Sequence, residues 1–311
     1  MNCRRSVFVV LANLRLPGRL LVLFLATTPA LAQSTGKNVF LTVALTNERG
    51  QVVPGLEKER FSVSEKNAHY EITSFSNDNQ PASVAMILDM SGSVTSTRLP
   101  IMASWITRFI AGANRANEYL LIGFDVQPSV LCNWRCSEKE LSTALSSFSN
   151  AKTKNDTALF DACAFGFDQL KSRTLSKRAM VVLSDGMDNE SKISLGRLRQ
   201  LFQQSEITFY GIDTMAFDGS AASMLGEDVL DKLAWISGGH AFFPRTRDEF
   251  EKIADHLSFE LGHQYTLGFT LAPVPGRPFR EIKLKLVPPA GNSSQKSEKL
   301  LLRYRPTVYV P

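Results

Sequence analysis

The sequence predicts an α/β fold: a doubly wound, mostly parallel sheet inserted in, or flanked by, a small β-sandwich. Three observations predict it. Between residues 82 and 261, short continuous apolar runs alternate with amphipathic helical segments. That is the pattern of strands buried on both faces and covered by helices. On either side of this stretch the period changes to alternation of apolar and polar residues, as in half-exposed antiparallel strands. Finally, each flank has few strands and would leave edges unpaired, so pairing the flanks with each other satisfies both. Two separate β appendages are the competing arrangement.

In chain order, residues 1–32 read as a secretory signal peptide. Arg4, Arg5, Arg15 and Arg19 come without any acidic residue, a short apolar run spans 20–25, and an Ala-x-Ala motif ends at Ala32. Thr27, Thr28 and Pro29 keep the run well below the roughly 20 residues of a membrane span. The expectation is an exported protein, periplasmic or extracellular, with no transmembrane segment in the mature chain. Residues 33–80 form an N-terminal β segment, with strand-like pieces at 39–45, 61–64 and 70–75. Residues 81–262 carry the α/β pattern. Strands are expected at 84–88, 119–124, 129–131, 179–183, 207–212 and 240–243. Helices are expected at 99–113, 138–148, 158–170, 195–203, 228–236 and 249–261. Residues 263–311 form a C-terminal β segment, with strands at 264–270, 280–286 and 299–304 separated by Pro/Gly-rich turns.

Charge and cysteine usage exclude some function classes. The chain has 35 basic and 30 acidic residues, and removal of the four signal arginines leaves 31 against 30. The mature chain is therefore near neutral and has no dense Lys/Arg run, so a nucleic-acid role loses its compositional basis. Lys283, Lys285, Arg303 and Arg305 alternate as on one solvated sheet face. Cys132 and Cys136 are spaced for a small disulfide in an oxidising compartment, which leaves Cys163 as an apolar-flanked core thiol. The four His residues show no zinc-ligand spacing with the cysteines.

Three loops carry the chemistry. Asp89-Met-Ser-Gly-Ser93 follows the first buried strand, Thr157 precedes a helix, and Ser184-Asp185-Gly-Met-Asp188 follows the strand at 179–183. A doubly wound sheet brings such loops to its carboxyl edge. Asp89, Ser91, Ser93, Thr157 and Asp185 together offer two carboxylates and three hydroxyls. These are hard oxygen donors that select Mg²⁺ first, with Ca²⁺ and Mn²⁺ as alternatives, over zinc. Two carboxylates leave such an ion coordinatively open. Singly, Asp, Ser and Thr are ordinary turn and helix-cap residues, and only their joint order points to a site.

This constellation resembles the metal-ion-dependent adhesion site of the von Willebrand factor A domain family, over residues 82–261. The resemblance implies that Ser91, Ser93 and Thr157 ligate the metal directly, with Asp89 and Asp185 acting directly or through water. It implies metal-dependent binding of a protein, or of an extracellular or envelope component, that offers a carboxylate. The whole arrangement is also similar to exported A-type domain proteins of acidobacteria. The chain departs from the family at Asn155-Asp156, where Gly-Gly often precedes the Thr. Asp156 is expected either to add charge beside the metal or to cap the next helix, and Asp188 to act in capping or turns. Asp125 reads as a loop residue, and Asp213, at another strand's end, is not counted among the ligands.

Two other functions compete with this reading. A haloacid dehalogenase-type phosphatase needs a second Asp two residues after its nucleophile, and Ser91 stands there instead, unable to act as the acid. No catalytic residue is therefore assigned and no enzyme is expected. The other rival is an envelope structural component whose metal site is unused.

Overall fold

The computed structural model describes residues 36–92, 97–150, 156–215, 224–288 and 299–311. The expected export segment and Ser93 lie outside them. In chain order the strands and helices are β1 (Lys37–Asn47), β2 (Phe61–Glu65), β3 (Ala68–Tyr70), β4 (Ser74–Ser76), β5 (Ala82–Asp89), α1 (Arg98–Gly112), β6 (Glu118–Phe124) and β7 (Pro128–Cys132). There follow α2 (Glu138–Ser149), α3 (Leu159–Lys171), β8 (Lys177–Leu183), α4 (Leu195–Gln203), β9 (Ile207–Ile212), α5 (Met224–Ser237), β10 (His240–Phe242) and α6 (Arg247–Gly262). The chain ends in β11 (Tyr265–Leu271), β12 (Phe279–Glu281), β13 (Lys283–Leu286), β14 (Leu300–Tyr304) and β15 (Thr307–Tyr309).

The central sheet has the order β10-β9-β8-β5-β6-β7, parallel throughout except for β7. All eight residues of β5 are buried, because helices cover both faces. Val84, Met86 and Leu88 pack with α1, α2 and α6, while Ala85 and Ile87 pack with α3, α4 and α5. The chain leaves β5 through α1 to β6 on one side and later returns to β8 on the other. That reversal makes the carboxyl end of β5 the topological switch point, the usual ligand position in such sheets.

The flanking segments pair with each other. β1 lies between β11 and β14, antiparallel to both, and β4 completes that sheet. A second sheet has the order β13-β2-β3. Leu41, Val43, Phe61, Val63, Tyr265, Phe269 and Leu284, drawn from both sheets, share one apolar core.

Two expectations change here. The strand expected over 280–286 is split: β12 pairs with β15, and β13 pairs with β2. The chain changes sheets at Ile282, whose N–H donates to Pro306 O at 2.9 Å. Side-chain alternation continues across the break, so the sequence pattern does not register it. The solvated face holds for Lys283 and Lys285 only. Arg303 pairs with the wholly buried Glu260 of α6, and Arg305 is 7% exposed. This stretch runs against the α/β layer so closely that a Cβ on Gly238 would stand 2.3 Å from Arg305 N.

Cys132 and Cys136 are disulfide-bonded, with Cα atoms 5.8 Å apart, and Cys163 is a free, buried thiol. Among the described residues no helix is long and apolar enough to cross a membrane.

Candidate metal centre

Register places three polar residues side by side. Leu88 pairs with Leu183 and Leu183 with Ile212, so the next residues, Asp89, Ser184 and Asp213, continue in one row across three strands. Side chains alternate along a strand, so this row turns away from the α1/α6 core that holds the three residues before it. Asp89 is fully buried and held on both oxygens. Its Oδ1 accepts from Ser91 N at 2.9 Å, and its Oδ2 accepts from Ser184 Oγ at 2.7 Å. Ser91 is itself fully buried, and Asp185 is 5% exposed.

The loop after β8 is shaped by contacts that no local sequence motif signals. Ser184 Oγ accepts from Gly186 N at 3.1 Å, and Asp185 Oδ1 accepts from Met187 N at 3.0 Å. Gly186 adopts φ +77°, in the left-handed region where a side chain is strained. Gly226, in the first turn of α5, lies directly over this loop, and a Cβ there would stand 1.9 Å from Asp185 O. Gly226 lies ahead of the helix expected over 228–236, so neither it nor Ser184 is marked in the sequence.

Thr157 is drawn to the same loop. Its N–H donates to Asn189 Oδ1 at 2.7 Å, and its carbonyl accepts from Asn189 N at 3.0 Å. Asp188 Oδ1 accepts from Phe160 N at 3.0 Å, which makes it a cap for α3 supplied from another loop. Asp156 is exposed, and no side chain at the start of α3 caps the helix. Asp125 sits in the bend after β6, where its carbonyl accepts from Ala158 N. Asp213 is 1% exposed, and its Oδ1 accepts from Met215 N at 2.8 Å. Thus Asp89, Ser91, Thr157 and Asp185 stand on adjoining, mutually bonded loops.

Electrostatics fit a cation at this edge. Burial first, and the negative charge of Asp185 second, push Asp89 up to about 6, against hydrogen bonds from Ser91 and Ser184 that pull it down. A positive ion would oppose both effects by favouring the carboxylate. Among the described residues no group of three or more His, Cys, Asp or Glu is arranged to hold a metal. The donors here are instead two carboxylates with hydroxyls, the set a hard divalent ion takes.

The family model for the von Willebrand factor type A domain matches residues 84–187, from β5 through the Asp185 loop. Over that stretch the chain is similar to a von Willebrand factor type A domain. No curated protein matches it in sequence. Among solved structures, a von Willebrand factor type A protein from Catenulispora acidiphila is 13% identical with a TM-score of 0.48, over 71% of each chain. The PilB minor pilin of Streptococcus sanguinis is 12% identical with a TM-score of 0.47, over 60% of this chain and 62% of that one. Proximal thread matrix protein 1 from the mussel byssus, with a zinc-occupied MIDAS motif, is 14% identical with a TM-score of 0.49. That alignment covers 63% of this chain and 48% of the mussel protein, so the chain spans less than two thirds of the pilin and about half of the mussel protein.

Proposed function

We propose that the chain is an exported, non-enzymatic binding protein whose von Willebrand factor type A domain captures an acidic group of a partner through a divalent cation. One observation carries the reading: the buried Asp89 carboxylate is fixed on both oxygens and set beside Asp185 at the sheet's carboxyl edge. Asp89, Ser91, Ser93, Thr157 and Asp185 would hold the ion, with Mg²⁺ preferred. When bound, it would offer an electrophilic position that a partner's carboxylate completes. Residues 1–32 direct export to the periplasm or exterior, residues 81–262 form the binding domain, and residues 33–80 and 263–311 form one supporting module. The absence of a second acid at Ser91 speaks against phosphatase chemistry.

Calorimetric titration of the full mature chain with Mg²⁺, Ca²⁺, Mn²⁺ and Zn²⁺ tests the site. Saturable binding that is lost in the Ser91→Ala/Ser93→Ala variant is expected. Binding unchanged by those substitutions would transfer the function to the sandwich. Partner capture from envelope extract should require the metal, and capture that survives EDTA overturns the mechanism.

A further inference from the structure

A cavity of about 510 Å³ lies at the opposite edge of the central sheet, where β8 and β9 begin and where β1 and β15 of the sandwich meet α3 and α4. The basic side chains on its wall are Lys37, Lys171, Arg178, Arg197 and Arg305, and the acidic one is Glu206. Arg305 is the innermost, at 7% exposure. Its guanidinium makes one hydrogen bond, from Nη2 to Phe40 O at 3.2 Å, and no ion pair with the described residues. Arg178 Nη2 stands 3.5 Å from Glu206 Oε2, while its Nε is buried without a hydrogen-bond partner. Lys37 and Arg197 donate to neutral oxygens, Tyr309 O at 3.0 Å and Gln200 Oε1 at 2.7 Å.

Glu206 is the one acidic residue against five basic ones on this wall, so the charge is compensated only in part. A buried cation is costly unless it is paired, and guanidinium donors left open in a cavity present the fork geometry that oxyanions match. Burial first, and the charge of Arg178 with it, push the Arg305 guanidinium below its ordinary range, against the pull of Glu206. The size lies within the range of small-molecule sites. Phe167, Val308 and Tyr309 give the wall an apolar part.

We propose that this cavity binds a phosphate group, free or esterified, with the guanidinium groups of Arg305 and Arg178 as inner donors and the exposed Lys171 and Arg197 as outer ones. Thermal unfolding and calorimetric titration of the full mature chain test this at constant ionic strength in chloride, with EDTA present so that the metal centre contributes nothing. The probes are inorganic phosphate and glycerol 1-phosphate. Saturable binding that raises Tm is expected, weakened about tenfold in the Lys171→Ala/Arg197→Ala variant with Tm in chloride unchanged. Arg305→Met should abolish the phosphate response while its Tm in chloride stays level or rises, because a buried unpaired charge is removed. Tighter binding of the ester assigns the apolar wall to an organic moiety, and equal binding assigns the site to free phosphate. Absence of a saturable response, or a response unaltered in the Lys171/Arg197 variant, overturns the proposal even if Arg305→Met fails to fold.

Discussion

Ser184 orients Asp89 by donating to Oδ2 at 2.7 Å while accepting from Gly186 N at 3.1 Å. Its hydroxyl therefore couples the first loop of the candidate centre to the third. Ser184→Ala should weaken divalent-ion affinity by about 10–100-fold, as loss of an outer-shell partner does elsewhere. It should also lower unfolding stability by about 1–3 kcal/mol, since a buried carboxylate oxygen loses its donor. Calorimetry and urea titration read these separately, and unchanged affinity would remove Ser184 from the site. Gly226 works by having no side chain. A Cβ there meets backbone rather than a movable side chain, so Gly226→Ala should cost about 1–3 kcal/mol or more and displace the start of α5, measurable by urea unfolding. Asp89 and Asp185 were legible in the sequence because they belong to an ordered motif. Ser184 and Asn189 were not, because their roles depend on which strands become neighbours.

α2 and α3 show how differently two helices begin. α2 caps itself: Ser137 and Glu140 form a reciprocal capping box, both partners within four residues of chain. α3 begins at Leu159 with no cap from its own segment, and Asp188, 28 residues on, accepts from Phe160 N. The first kind of start can be read from spacing, whereas the second exists only once the β8 loop has folded over the helix. Asp188→Ala should cost about 0.5–2 kcal/mol. Because Asn189 holds Thr157, the same change should speed amide exchange at Phe160 and loosen Thr157, as hydrogen-exchange measurement would show. Exchange at wild-type rates would mean that the cap is dispensable. β12 and β13 follow the same logic, since alternation is blind to a change of sheet.

The two layers are clamped by Glu260, whose oxygens accept from Tyr210 and pair with Arg303, with His256 and His240 close by. Burial alone would raise Glu260, but Arg303 and His256 hold it down to about 2 from its ordinary 4.5. Burial, then the charge of Arg303, push His240 down to about 4 from 6.5, with Glu260 opposing and His256 adding to the fall. Both folded values lie below the unfolded ones, so the unfolded chain takes up protons first and stability falls as pH falls. The His240 contribution is lost between about pH 6.5 and 4, by up to about 3 kcal/mol, and that of Glu260 between about 4.5 and 2. His240→Gln should flatten the upper window and Glu260→Gln the lower one, in urea unfolding followed across pH. An unchanged upper slope in His240→Gln would refute the assignment. By itself the sequence determined the alternating α/β pattern, the antiparallel flanks and the ordered Asp, Ser and Thr motif, because periodicity and local spacing are properties of neighbouring residues. The tertiary structure decided which strands adjoin, that Arg303 meets a buried Glu260 rather than water, and that Arg305 closes a basic cavity. Those contacts join residues tens to hundreds of positions apart, and only packing chooses among them.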